Sequence, residues 1–201
     1  MKIKLYIEGG GDSHFQDTEF RAAWAAFFEK AGLRTLRKMP ATFRGGGRAQ
    51  TFDAYCTAVK NRRPDELPLL LVDSEDLVTT GPSVWKHLKA SDGWSKPAGA
   101  GSHDAFLMIT CMETWFVADR ASLQQFFHGC WRSQSLPQWP QIEVVEKTKI
   151  FRALDQATAA CGARRYSKGK VSFDLLQRID PVEVERVCPA AKVLLERLRK
   201  V

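Results

Sequence analysis

Three short segments have the pattern of apolar and polar positions that predicts β-strands. Residues 3–7 alternate apolar and polar side chains, as in a strand with one buried face. Residues 68–72 are apolar throughout, which is typical of a parallel strand buried on both faces. A third apolar run covers residues 105–110. Long connections separate the three segments, so the pattern favours strands joined by helices rather than by hairpins.

Helical spacing of apolar residues fills much of the remaining chain. We expect helices at residues 17–30, 49–62, 82–89, 111–119, 123–127 and 147–161, and in short pieces after residue 162. Loops are predicted where glycine, proline and polar residues concentrate, at residues 34–48, 91–104 and 131–140. This alternation predicts an α/β fold with a mostly parallel sheet flanked by helices. We place its core in residues 1–145, with a helical C-terminal extension, residues 146–201, packed on the same domain.

The composition fits one globular domain of ordinary polarity. The 201 residues are 44% hydrophobic and 26% charged, with a net charge of +7. No apolar run approaches the ~18 residues of a membrane span, and the N-terminus lacks the apolar stretch of a secretory signal. We therefore expect a cytoplasmic protein with no membrane contact. The five cysteines are scattered without a C-x-x-C pair, so we expect free thiols and no structural zinc site.

Acidic residues follow two of the predicted parallel strands. Glu8 follows the first, and Asp73, Glu75 and Asp76 follow the second. Ligand sites in open α/β sheets lie at the carboxyl ends of strands. If the two strands are neighbours, about 4.8 Å apart, Glu8 and Asp73 face one small volume. Two carboxylates about 4 Å apart repel by roughly 4 kcal/mol, which a bound Mg²⁺ or Mn²⁺ relieves. The alternative is that these acids only cap the helices that follow.

Basic residues suggest a polyanionic partner. Arg44 and Arg48 flank three glycines, which allow backbone N–H groups to approach an anion. The densest basic stretch surrounds Tyr166 and includes Arg165, Lys168 and Lys170. We expect these six residues to contact the phosphate backbone of a nucleic acid. A solvated loop and an ordinary basic surface are the alternatives.

Several short motifs resemble known families. Residues 7–12 (Ile-Glu-Gly-Gly-Gly-Asp) and 71–76 (Leu-Val-Asp-Ser-Glu-Asp) resemble the Toprim pattern, in which Glu-Gly follows one strand and Asp-x-Asp a later one. Residues 111–119 are similar to the Glu-x-Trp segment of the Toprim-like domain-of-unknown-function family 4276 and its RloB relatives. Residues 166–168 and 179–189 are similar as well, so the resemblance spans nearly the whole chain. The segment after Asp73 departs from a plain Asp-x-Asp, which leaves open whether Glu75 or Asp76 is the second ligand.

The resemblance implies a Toprim-like, metal-dependent phosphoryl-transfer fold, related to the overcoming-lysogenization-defect nucleases. By this analogy Asp73 and either Glu75 or Asp76 hold Mg²⁺ or Mn²⁺, Glu8 is a general base or a further ligand, and Glu113 completes a second metal position. The implied function is an endonuclease that cuts DNA or RNA. The implied setting is a bacterial anti-phage or toxin-like system with an AAA- or ABC-type ATPase partner.

Two other functions are compatible with the same residues. The acids could form a metal- or partner-binding module without turnover, associated with an ATPase. The glycine-rich loop could instead serve a nucleotide phosphohydrolase or nucleotidyltransferase, which would turn over nucleoside triphosphates without nucleic acid. Metal-dependent cleavage of nucleic acid distinguishes the nuclease from both.

Overall fold

A computed structural model describes residues 1–9, 14–78 and 83–201, without the side chains of residues 14–16. Within these ranges the strands are β1 (Lys2–Ile7), β2 (Ala41–Arg44), β3 (Glu66–Asp73) and β4 (Ala105–Met108). The helices are α1 (His14–Lys30), α2 (Arg48–Lys60), α3 (Val84–Asp92), α4 (Glu113–Ala118), α5 (Arg120–Phe126), α6 (Lys147–Ala157), α7 (Lys170–Leu176), α8 (Pro181–Val187) and α9 (Pro189–Lys200). Short 3₁₀ turns occupy Ser133–Ser135, Ile142–Val144 and Gly162–Arg164.

The four strands form one parallel sheet in the order β2-β1-β3-β4. Leu5 of β1 pairs with Leu69 of β3, and Val72 of β3 pairs with Leu107 of β4. Because β3 lies inside the sheet and is covered on both faces, its apolar run contains no alternation. The structure therefore confirms the predicted α/β class, with an all-parallel sheet flanked by helices and a helical C-terminal region.

Two apolar cores lie on opposite faces of the sheet. On one face, β1 side chains such as Leu5 pack with α1 and with the C-terminal helices, including Leu154 of α6 and Leu194 of α9. On the other face, Leu70 and neighbouring side chains pack against α2 and α3. The first core therefore contains residues of the predicted core region, 1–145, and of the predicted C-terminal extension, 146–201. Across the ranges described, no helix combines the length and apolar character needed to cross a membrane.

The predicted loop at residues 34–48 contains strand β2, so that prediction is wrong for Ala41–Arg44. This edge strand is short and half-buried, and its sequence Ala-Thr-Phe-Arg carries little apolar pattern. Its hydrogen-bonding partner β1 is distant in sequence, so pairing with β1 decides its conformation. Other boundaries differ from the predicted ones by a few residues. The helix predicted at residues 82–89 is α3, which starts after its Ser83 cap and runs to Asp92. Pro82 lies outside the described residues.

The expectation of five free thiols is wrong for one pair. Cys130 and Cys161 form a disulfide, with Cα atoms 5.0 Å apart and a sequence separation of 31 positions. The chain on either side is held together by the backbone bond from Arg132 N–H to the carbonyl of Ala157. Scattered cysteines give no sign of pairing in sequence because the fold alone brings them together. The other three cysteines are free.

Candidate metal centre at the carboxyl edge of the sheet

Strands β1 and β3 end side by side, which brings their terminal acids together. The N–H of Glu8 donates to the carbonyl of Leu71 at 3.0 Å, which extends the strand pairing by one residue. The N–H of Asp73 donates to Oε2 of Glu8 at 3.2 Å. The sequence argument placed Glu8 and Asp73 at one volume on the condition that their strands are neighbours, and β1 and β3 are neighbours in the sheet.

Glu8 and Asp73 line one cavity of about 430 Å³, and Glu113 reaches the same cavity from α4. Glu113 is the first residue of α4, shortly after β4, and it is only 2% exposed. Three elements thus direct carboxylates into one space. Glycines at positions 9, 46, 47 and 169 line another part of it. Lys168 adds a cation to its wall.

Asp73 is buried, and its surroundings favour the protonated form. Burial raises the pKa of Asp73 to about 8, together with the negative charges of Glu113 and Glu8. The ammonium of Lys147, 3.7 Å from Oδ2, offsets part of this increase. The N–H of Met112 donates to Oδ1 at 2.9 Å and fixes the carboxyl group. At neutral pH this carboxyl group therefore favours its protonated form.

Tyr166 holds Glu113 from inside the protein. Its hydroxyl donates to Oε1 of Glu113 at 2.5 Å, and both side chains are buried. Burial and the neighbouring charge of Glu113 raise the pKa of Tyr166 well above its ordinary value, so the phenol remains a donor. The sequence placed Tyr166 on a basic nucleic-acid-binding surface. The structure places it in the interior instead, because the aromatic ring packs in the core beside Phe116 and Phe151.

Replacing Tyr166 with phenylalanine is expected to destabilise the protein by about 1.5–3 kcal/mol, because a buried carboxylate loses its donor. Urea unfolding measures the loss. Tyr55→Phe is a matched control, since the buried Tyr55 hydroxyl has no hydrogen-bond partner in the described part of the chain. That variant should be neutral or slightly stabilising. Equal effects of the two substitutions would contradict the role given to Tyr166.

Glu75 and Asp76, the two alternatives that the sequence left open for the second ligand, are not among the residues that line the cavity. Glu75 has a left-handed backbone with φ +65°, and its carboxylate pairs with Lys147 at 2.6 Å. Asp76 is exposed. The third carboxylate that lines the cavity, beside those of Glu8 and Asp73, is that of Glu113.

Lys147 is a functional candidate that the sequence reasoning missed. Its ammonium lies between Asp73 and Glu75. Burial lowers the pKa of Lys147, but the Glu75 hydrogen bond and the charge of Asp73 outweigh this and leave the pKa raised. One sequence signal existed: Lys147 is the first residue of α6, where the helix dipole disfavours a cation.

The predicted basic contacts divide into internal and accessible groups. Arg44 is 4% exposed at its side chain and pairs with Asp17 at 2.8 Å, so it supports the fold. Arg165 and Lys170 are exposed but pair with carboxylates of their own surface: Arg165 with Asp155, and Lys170 with Glu19 and Asp174. Lys168 is exposed, lies over the ring of Phe151 and lines the acidic cavity. Lys168 is therefore the predicted phosphate contact best placed for a ligand in this cavity.

The carboxylates of the cavity fit a hard cation with few protein ligands. The hydrogen bonds to Glu8 use Oε2, which leaves Oε1 without a partner among the described residues. In those residues no group of three or more His, Cys, Asp or Glu side chains is arranged to hold a metal ion. Mg²⁺ commonly takes one or two protein carboxylates and completes its octahedron with water and substrate oxygens. Glu8 and Asp73 match that smaller ligand set.

Fold and cavity together define an α/β protein with an acidic cavity at the carboxyl edge of an all-parallel sheet. The family model described as a domain of unknown function (DUF4276) matches residues 7–199, and the chain belongs to this family. Comparison with curated proteins gives no match, and comparison with solved structures gives none either. The relationship to Toprim and RloB proteins stays a prediction. Because the family's description names no activity, the chemistry of the cavity is the basis for proposing a function.

Proposed function

We propose that this protein is a Mg²⁺- or Mn²⁺-dependent nuclease that hydrolyses phosphodiesters of DNA or RNA at the acidic cavity. The observation that carries the proposal is the convergence of Glu8, Asp73 and Glu113 on one cavity at the carboxyl ends of parallel strands. Burial, together with the negative charges of Glu113 and Glu8, makes Asp73 favour its protonated form at neutral pH. A divalent cation would supply the positive charge that lets Asp73 ionise beside its acidic neighbours.

The residues around the cavity have complementary tasks in this proposal. Glu8 and Asp73 bind the cation, and Glu113, held by Tyr166, supplies a further negative charge or a water-mediated contact. When bound, Mg²⁺ or Mn²⁺ would supply Lewis-acid activation of the phosphoryl group and of a water molecule. Glu8 offers Oε1 to the cation, since its Oε2 already accepts hydrogen bonds from Arg48 and from the N–H of Asp73. Lys168, which also lines the cavity, binds a phosphate of the nucleic acid.

Cleavage assays with divalent metal test the proposal. Plasmid, single-stranded DNA and RNA are each incubated with the protein in Mn²⁺, in Mg²⁺ and in EDTA. We expect cleavage of at least one substrate with metal and none in EDTA. Glu8→Gln should abolish the cleavage, and Asp53→Asn, an exposed change on α2, should leave it intact. Cleavage by Glu8→Gln at the wild-type rate would overturn the proposal.

Metal affinity is expected to depend on pH because the cation must displace a proton. Asp73 has a pKa of about 8 in the metal-free protein, so below pH 8 each bound cation releases about one proton. The apparent association constant for Mn²⁺ should rise about tenfold per pH unit from pH 6 to 7.5 and level off above pH 8. Isothermal titration in buffers of different ionisation enthalpy measures both quantities. A pH-independent affinity would contradict the assignment of Asp73 as a ligand.

The second candidate function is a metal- or partner-binding module without turnover. It rests on the same convergence of Glu8, Asp73 and Glu113, which would hold a cation whether or not a phosphodiester is hydrolysed. A protein that binds Mn²⁺ but cleaves no nucleic acid, alone or with an ATPase partner, would fit this function. The proposed setting in bacterial anti-phage defence with such an ATPase comes from the family resemblance alone.

A further inference from the structure

Arg48 joins the ends of three elements around the acidic cavity. Its Nη1 donates to Oε2 of Glu8 at 3.0 Å, at the end of β1, and to the carbonyl of Asp73 at 2.6 Å, at the end of β3. Its Nε and Nη2 donate to the two carboxylate oxygens of Asp92, the last residue of α3, at 2.6 and 2.8 Å. One side chain thus ties both acid-bearing strands to a helix on the second face of the sheet.

The guanidinium is held in a fixed plane. The bidentate pair with Asp92 sets its orientation, because two parallel bonds allow little rotation. Trp94 lies against it, with the Cζ of Arg48 5.1 Å from the ring centroid. Trp94 in turn stacks on Phe52 with centroids 4.2 Å apart. The Arg48 side chain is 17% exposed, and four of its five N–H donors serve Glu8, Asp73 and Asp92.

This arrangement decides which carboxylate oxygen of Glu8 accepts hydrogen bonds from the described residues. Oε2 accepts from both Arg48 and the N–H of Asp73. Oε1 keeps no partner among the described residues and remains for a cation or a proton. Arg48 is also the first residue of α2, where the helix dipole disfavours a cation. Arg48 therefore does not stabilise α2 through the helix dipole. Its hydrogen bonds to Glu8 and to the carbonyl of Asp73 are the contacts that explain an arginine at this position.

We propose that Arg48, oriented by Asp92, is a positioning residue that fixes Glu8 and the backbone of Asp73 so that their carboxylates share one cation. This inference rests on the proposed function and revises the sequence-based expectation that Arg48 grips phosphate. A neighbour that orients a metal ligand affects metal affinity and turnover, whereas a phosphate contact affects the affinity for nucleic acid.

Arg48→Lys and Asp92→Asn test the proposal, with Arg186→Lys as a matched control. Arg186 also forms a two-bond pair with a carboxylate, that of Glu183, but on an exposed helix. Mn²⁺ affinity is measured by calorimetry. The kcat and KM values are measured with a nucleic acid that the cleavage assays identify as a substrate. We expect Arg48→Lys to weaken Mn²⁺ binding and to lower kcat, each by about 10–100-fold, with KM for nucleic acid changed less than twofold. Asp92→Asn should act in the same direction, and the double variant should be no worse than Arg48→Lys.

Each outcome decides between the proposals. Unchanged Mn²⁺ affinity with a raised KM would overturn the positioning role and restore the phosphate role. A wild-type protein that binds Mn²⁺ without cleaving would overturn the nuclease proposal only, since the effect of Arg48→Lys on Mn²⁺ affinity still tests the positioning role. A wild-type protein that binds no Mn²⁺ would overturn both. If Arg48→Lys fails to fold by circular dichroism, Asp92→Asn gives the same test without removing the guanidinium.

Discussion

Asp73→Asn is expected to lower metal-dependent cleavage at least about 100-fold, because even neighbours of metal ligands commonly cost 10–100-fold and Asp73 is proposed as a ligand itself. The substitution removes the negative charge of the carboxylate and keeps nearly the same side-chain size and shape. Asparagine keeps an oxygen that can accept the bond from the Met112 N–H, so the turn after β3 should persist. Initial cleavage rates at saturating Mn²⁺ measure the effect. Asp53→Asn is the matched control and should retain wild-type activity.

The same substitution should stabilise the metal-free protein. Asp73 has a pKa of about 8 in the folded state, against 3.8 ordinarily, so the folded protein binds the proton more tightly than the unfolded chain. Metal-free stability therefore falls as pH rises from about 4 to about 8 and is flat above that. In EDTA at pH 8.5 we expect Asp73→Asn to be about 1–3 kcal/mol more stable than wild type. A variant that is both inactive and less stable would indicate a structural role instead.

Trp115→Ala is expected to destabilise the protein by about 3–5 kcal/mol, because it empties the centre of the larger core. Trp115 is completely buried on α4, stacked on Phe27 with centroids 5.4 Å apart and edge-on to Trp24 at 5.8 Å. Chemical unfolding followed by circular dichroism measures the change. Because Glu113 lies two residues away on α4, the variant should also lose cleavage activity.

Two further substitutions control for this effect. Trp139→Ala removes a half-buried tryptophan from a surface segment and should cost only about 1 kcal/mol. Trp115→Phe keeps most of the apolar volume, and the indole N–H that it removes has no hydrogen-bond partner among the described residues. It should cost less than half as much as Trp115→Ala. If Trp139→Ala proves as costly as Trp115→Ala, the assignment of the core centre is wrong.

The sequence determined the fold class and one part of the candidate site. Apolar segments of five or six residues separated by helical patterns predict parallel strands, since such connections are long enough to cross the sheet. Glu8 and Asp73 directly follow two of those segments, and parallel strands carry their carboxyl ends to one edge. Their proximity therefore depends only on strand direction and adjacency. Glu113 entered through a motif resemblance, because a helix position alone does not show which side of the sheet it faces.

Tertiary structure decided the remaining partners. Glu75 and Asp76 are as close to Asp73 in sequence as ligands usually are, but the left-handed turn at Glu75 directs its carboxylate to Lys147. Tyr166 meets Glu113 across 53 residues, and Arg48 meets Asp92 across 44. Such contacts depend on how helices pack on the two faces, and packing is set by side-chain volume and shape over the whole core. Local sequence fixed which groups stand at the strand ends, and long-range packing fixed which charges and donors surround them.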